Sequence, residues 1–162
     1  MIRTVIEKNM QGKYVYGLQS WYPHLKPNDV HLWEKFIRAN ANFFDTVDYD
    51  VAVGEGVVVG DVTADVYAKS FKKLTQKKID VIGYRKDQVW IVEVKPFAGS
   101  SALGQLLSYR ILFDDETLEG ETVHLMIITN ECRTEYKKIF ESHNIRVEEV
   151  GICPYCAGAL SV

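Results

Sequence analysis

The sequence predicts an α/β domain: a mixed sheet whose antiparallel strands come first and whose parallel strands are added later, flanked by helices. Three observations predict it. Apolar runs at 79–84 and 89–94, joined by the polar stretch Arg85-Lys86-Asp87-Gln88, read as a β-hairpin. The later β-rich runs, 122–129 and 145–150, are each preceded by a helical pattern, and strands joined through a helix are usually parallel with a right-handed crossover. Finally, 162 residues with 47% hydrophobic and 25% charged content match one globular domain and exclude a disordered chain.

From the N-terminus, residues 3–19 read as a hairpin, because Thr4-Val5-Ile6 and Tyr14-Val15-Tyr16 are β-prone and 9–12 holds turn residues. A connector with two prolines, 21–27, follows. Asn28 or Asp29 is expected to cap a helix whose apolar positions are Val30, Trp33 and Ile37 and, one row over, Phe36 and Phe44. Val47, Tyr49, Val51 and Val53 alternate as in a half-buried strand, and Gly54, Gly56 and Gly60 mark turns or a bulge. Residues 61–69 are expected to form a further strand. After the central hairpin, Pro96 and Gly99 stop the second strand, since proline lacks the N–H a ladder needs. Ser100 or Ser101 then caps a helix over 102–113. Residues 132–142 form a helix with Tyr136, Ile139 and Phe140 as its apolar stripe, and 151–162 is a small, apolar tail.

Nineteen basic and 22 acidic residues leave a net charge of −3, which excludes a wholly basic coat but not a local basic patch. No apolar run is long enough to span a membrane, and the first residues lack the apolar core of a secretory signal. Three cysteines cannot all pair within one chain, so reduced thiols and a cytoplasmic location are expected.

The chemistry concentrates in the central hairpin. Along Val89-Trp90-Ile91-Val92-Glu93-Val94-Lys95, side chains alternate between faces, so Glu93 and Lys95 point one way and Trp90, Val92 and Val94 the other. If Tyr84 pairs near Val89, Asp80 falls opposite Glu93, about 5 Å away at Cβ. Two such carboxylates repel unless a divalent cation or Lys95 compensates them. A structural salt bridge to Lys95 and a Mg²⁺-type oxygen site are both consistent with that spacing.

Asp80, then Glu93-Val94-Lys95 on two strands followed by a helix, resembles the signature of the PD-(D/E)XK nuclease superfamily. Three further positions match. Glu34 sits where many members carry an accessory metal-binding glutamate. Gln105 and Tyr109, within Gly104-Gln105-Leu106-Leu107-Ser108-Tyr109, resemble the Q-x-x-x-Y helix motif of RecB-like members. The proline usually written before the aspartate is Ile79 here. The resemblance spans about residues 30–150 and is to RecB-like or Holliday-junction-resolvase-like members. It implies the restriction-endonuclease-like three-layer sandwich and a Mg²⁺- or Mn²⁺-dependent endonuclease or exonuclease acting on DNA, with RNA also compatible. On that resemblance Asp80, Glu93 and the Val94 carbonyl hold the metal, with Glu34 reaching a second. Lys95 orients the attacking water or stabilises phosphate charge, and Gln105 and Tyr109 position Lys95, the water or a phosphate. The expected organisation is a nuclease-like domain over 28–150, a hairpin appendage over 1–27 for homodimerisation or substrate contact, and the tail.

Two more features stand outside the motif. Residues 69–78 contain Lys69, Lys72, Lys73, Lys77 and Lys78, a run that either tracks a DNA backbone toward Asp80 or is a solvated loop. Cys153-Pro154-Tyr155-Cys156 has the spacing of half a Zn²⁺ site, to be completed by Cys132, His124, His143 or a partner chain, or it is two ordinary cysteines in a turn. A nuclease-fold module that binds nucleic acid or protein without cutting, and a zinc-bearing structural or adaptor protein, therefore stand beside the nuclease reading.

Overall fold

The computed structural model describes residues 12–57, 66–114 and 122–152. In chain order these form β1 (Tyr14–Val15), α1 (Pro27–Ala39), β2 (Thr46–Val53), α2 (Val66–Thr75), β3 (Lys77–Arg85), β4 (Gln88–Val94), α3 (Ser100–Asp114), β5 (Thr122–Thr129), α4 (Thr134–Ser142) and β6 (Ile145–Glu149). The six strands make one sheet in sequential order. Strands β1 to β4 are antiparallel neighbours, whereas β4, β5 and β6 run parallel, as the helix-joined strands predict.

Strand alternation sends side chains to two separate cores. Trp90, Val92 and Val94 of β4, with Met126 and Ile128 of β5, meet Leu32, Trp33, Phe36 and Ile37 of α1. Val89 and Ile91, with Leu125 and Ile127, meet Ala102, Leu106 and Tyr109 of α3 and Phe140 of α4. The result is a three-layer sandwich, one helix on one face and two on the other. The α1 side is rich in aromatics: Trp33 stacks on Phe36 at 5.7 Å between centroids and donates its indole N–H to Tyr49 Oη at 3.0 Å.

Several local expectations are revised. Helix α1 begins with Pro27 in its first turn and Lys26 as N-cap, with no side-chain cap bond, so Asn28 and Asp29 lie inside it. Proline's fixed φ and missing N–H suit that position. Phe44 lies beyond the helix yet joins its core. The hairpin register holds Tyr84 opposite Val89 but continues to Arg85 and Gln88, which shortens the turn to Lys86-Asp87, with Lys86 at φ 53°. Ser100 and Ser101 are in the first turn of α3, not ahead of it. Where a strand over 61–69 is expected, residues 66–75 are helical and 58–65 lie outside the described residues. Tyr67, Phe71 and Leu74 recur at helical spacing, a signal that the neighbouring valine-rich stretch masks.

The N-terminal segment is not a free-standing appendage where it is described. Tyr14 and Val15 pair with Val47 and Thr46, and Tyr16 and Tyr22 are buried in the α1-side core. The first strand of the expected hairpin falls outside the described residues, as do Cys153 and Cys156. Among the described residues no helix is long and apolar enough to cross a membrane.

Gly83 shows how tightly the α1 layer sits. A Cβ built there would lie 2.6 Å from Cζ of Phe44, a ring hemmed in by Phe36, Phe43 and Trp90. Gly83→Ala should therefore cost about 1–3 kcal/mol by overpacking, measured by urea unfolding. An unchanged midpoint would mean that the aromatic layer is looser than its geometry indicates.

Candidate active site

Strand β4 keeps strict alternation, but β2 and β3 do not. Val47 and Tyr49 of β2 face the α1 core, while Val53 and the partly buried Val51 face the α3 core. In β3, Val81 faces α1, whereas both Ile79 and Ile82 face α3. The inversion falls at Asp50 and Asp80, which lie across from each other between the pairs Tyr49–Val81 and Val51–Ile79. Asp50 has φ 52°, a left-handed value that is costly for a side-chain-bearing residue within a strand. An acidic residue thus occupies the point where two neighbouring strands twist over.

On the other side of β3, the register places Asp80 across from Glu93, next to the pair Val81–Val92. The Val94 amide donates to Asp80 Oδ2 at 3.0 Å. Glu93 is only 4% exposed, and its Oε2 is buried without a hydrogen-bond partner. Burial raises both carboxyls, Glu93 to about 8 and Asp80 to about 6. The Asp80 charge pushes Glu93 up further, while the Val94 amide holds Asp80 back, and Lys95 opposes both shifts.

Lys95 follows the end of β4, where its amide donates to Ile128 O at 2.9 Å. Its Nζ donates to Gln105 Oε1 at 2.8 Å and to Ser101 Oγ at 3.1 Å. Gln105 Nε2 in turn donates to Tyr109 Oη at 3.2 Å. An ammonium can only donate, so it fixes the orientation of the Gln105 amide. Burial and the nearby Glu93 charge push the Tyr109 hydroxyl up to about 12, so it stays neutral at ordinary pH. The four-residue spacing of Gln105 and Tyr109 on α3 makes this relay possible.

Asp80, Glu93, Val94, Lys95 and Gln105 line one cleft, whose opposite wall comes from 24–29: His24, Lys26, Pro27, Asn28 and Asp29. Glu34 is not in it. It accepts from Tyr22 Oη at 3.4 Å and pairs with Arg38 at 3.6 Å. The acidic residue that α1 brings to the cleft is Asp29, raised by its own burial and close enough to raise both Asp80 and Glu93. In the sequence Asp29 reads as a cap, whereas it lies in the first turn of α1. Pro27, as the marker of the helix start, was the available clue that Asp29 lies in the first turn. His24 was missed as well; it lies 3.4 Å from Asp50, which also binds Lys78 Nζ at 2.6 Å. Of the five lysines in the run, Lys78 is therefore turned to a carboxylate, while Lys69, Lys72 and Lys73 ride on α2 and Lys77 opens β3.

The donor set suits a hard divalent cation. Two carboxylates offer oxygen alone, and the orphaned Glu93 Oε2 has the lone pairs such an ion takes. Among the described residues no group of three or more His, Cys, Asp and Glu side chains converges on a metal position. Cys132 is buried as a free thiol, and Cys153 and Cys156, with which a Zn²⁺ site is expected, lie outside the described residues.

Without a cation the carboxyl pair should make stability pH-dependent. A carboxyl whose pKa is higher in the folded chain binds its proton more tightly there. Its stabilising effect is full below the unfolded value, about 4, and is lost as pH rises toward about 8. In EDTA, Glu93→Gln should melt higher than the wild type by about 3–6 °C at pH 8 and by much less at pH 5. Equal melting temperatures at both pH values would show that Glu93 ionises in place at no cost.

No protein-family model matches the chain, and no curated protein matches it. Among solved structures it is similar to the crystal structure of a repair endonuclease from Pyrococcus abyssi, with 17% identity and a TM-score of 0.50. The match covers 82% of this chain and 50% of that one, so the chain spans about half the length of that structure. At this identity the likeness is one of fold: a mixed sheet between helices, as in a nuclease-like sandwich.

Proposed function

We propose that the protein is a Mg²⁺- or Mn²⁺-dependent deoxyribonuclease that hydrolyses phosphodiester bonds in the cleft of Asp80, Glu93 and Lys95. The observation that carries this reading is the buried carboxyl pair. Asp80 and Glu93 are held together across two strands, one Glu93 oxygen is unpartnered, and an ammonium on a fixed tether stands at the same cleft. Charge placed so expensively in an apolar sandwich points to a functional site.

Asp80, Glu93 and the Val94 carbonyl would hold the cation. When bound, it would supply the positive charge that polarises a phosphodiester and makes water a better nucleophile. The chain's own residues do the rest. Asp80 is braced by the Val94 amide, so one carboxylate keeps its position whether or not its neighbour is ionised. Lys95 is oriented by Gln105 and Ser101, and Gln105 by Tyr109, so the ammonium is set in place before substrate arrives. Phosphate gains negative charge on the way to the transition state, and a preorganised cation stabilises that state more than the ground state. The cleft walls from α1 and α3 confine the reacting phosphate between Asp29 and Lys26 on one side and Gln105 on the other.

Incubation with labelled linear, circular, single-stranded and branched DNAs, and with RNA, in Mg²⁺, Mn²⁺ or EDTA tests the reading directly. Asp80→Ala or Glu93→Ala should abolish cleavage and leave the fold intact. Cleavage by either variant at the wild-type rate would overturn the proposed site. Lys95→Ala should lower single-turnover cleavage about a hundredfold or more, with DNA affinity in Ca²⁺ changed far less. Lost affinity with an unchanged turnover rate would instead make Lys95 a docking residue.

A further inference from the structure

Asp80 and Glu93 are committed to the cation and Lys95 to the charge on the phosphate, which leaves the departing oxygen without a proton donor. That oxygen leaves as an alkoxide, a far stronger base than imidazole, and an acid beside it lowers the barrier. His24 lines the same cleft, on the wall that 24–29 contributes. Its side chain is 70% exposed, so a substrate in the cleft can reach it, and its Nε2 lies 3.4 Å from Oδ2 of the largely buried Asp50. Both residues have a left-handed backbone, with φ 55° at His24 and 52° at Asp50, a costly conformation that clusters where a fold fixes a group for use. The turn that carries His24 is anchored on both sides, by Tyr22 in the α1-side core and by Leu25 packed against it.

We propose that His24 is the general acid of the cleft and gives its proton to the sugar oxygen that leaves the phosphorus. This role rests on the reading of the Asp80 and Glu93 cleft as a DNA phosphodiesterase site. Water oxygen forms the new bond to phosphorus as the P–O bond to the sugar breaks. The electron pair of the broken bond passes to the sugar oxygen, which takes the Nδ1 proton of the imidazolium. The attacking water loses its surplus proton to solvent. The neutral imidazole keeps its Nε2 proton toward Asp50 and regains the other from solvent, since imidazole exchanges protons readily near neutral pH. Asp50 acts through His24 by orienting the ring, and Lys78 Nζ, 2.6 Å from the same oxygen, takes up part of its charge. Lys26 shares the wall, but an ammonium is a much weaker acid than an imidazolium. Asp29 shares it too, but Asp80 and Glu93 feel its charge, so a cation held by that pair favours its ionised form.

The test is single-turnover cleavage by the full chain in Mn²⁺ of a labelled oligodeoxynucleotide, single-stranded or annealed, with one linkage in three forms: ordinary, with sulfur bridging on the 3′ side, and with sulfur bridging on the 5′ side. A thiolate leaves without a proton, so the sulfur form that matches the bond cut needs no acid. His24→Asn suits the left-handed backbone and cannot transfer a proton. It should slow the ordinary linkage about a hundredfold and the matching sulfur linkage by less than about threefold. Asp50→Asn should slow the ordinary linkage less, with the same recovery on sulfur, because it only orients the ring. Lys95→Ala should slow both linkages alike, since its charge acts on the phosphate itself. Equal losses on both linkages in His24→Asn, or an unchanged rate on the ordinary one, would overturn the assignment. So would lost affinity in Ca²⁺ with an unchanged turnover rate, which would make His24 a phosphate contact. The two readings fail separately. Wild-type cleavage by Asp80→Ala overturns the proposed site and the acid with it; Asp80-dependent cleavage with equal losses on both linkages in His24→Asn overturns the acid alone. A wild type that cuts none of the three linkages overturns both.

Discussion

Two acidic side chains lie next to each other in the middle of a sheet that is apolar on both faces, and much of the molecule is arranged around that fact. Asp80 and Glu93 sit on adjacent antiparallel strands, each mostly buried, and Asp80 raises the proton affinity of Glu93. Such a pair is unstable as two bare anions in a low-dielectric interior. The compensation is local. The Val94 amide binds Asp80, and the Lys95 ammonium stands close enough to favour the charged form of both. What it does not supply is a partner for Glu93 Oε2, the acceptor on which the proposed cation site rests.

The geometry of the pair imposes itself on the strands. Alternation in β4 is regular, so Glu93 faces the α3 side with Val89 and Ile91. Strands β2 and β3 invert their alternation at Asp50 and Asp80, and the positive φ of Asp50 absorbs part of that twist. Asp50 is itself paired with Lys78 and lies 3.4 Å from His24, so the three acidic positions in a row across the sheet differ in their partners. Helix α3 contributes the relay of Gln105 and Tyr109, and the start of α1 contributes Asp29 and Lys26, so the cleft draws on all three layers.

Rigidity at the opposite end of the sheet supports this arrangement. Trp90, at the start of β4, stacks on His124 at 4.5 Å and meets Phe43 and Phe44 edge-on. Arg85 and Arg146 each lie about 5 Å from the Phe43 ring, and Gly83 leaves the room that Phe44 fills. Strand β4 is thereby anchored by aromatic packing at one end and presents Glu93 and Lys95 at the other. Helix α2 is the contrasting element, with Ala68 alone buried among its ten residues.

The sequence by itself determined what depends on near neighbours. Two apolar runs with a polar turn between them set the β3–β4 register, because side chains in a strand alternate with a period of two and any slip would put charge in the wrong core. That register already places Asp80 across from Glu93, and helical spacing already places Gln105 and Tyr109 on one face. Tertiary structure decided whatever depends on how elements sit against one another. Glu34 and Asp29 are both plausible acids of the first helix, and only the rotation of α1 on the sheet sends Asp29 into the cleft and Glu34 toward Tyr22 and Arg38. The union of residues 12–27 with the main sheet, the inversion at Asp50 and the pairing of Lys78 likewise arise from contacts between residues far apart in the chain. Local periodicity carries no information about those contacts, because packing free energy is gained only when distant segments meet.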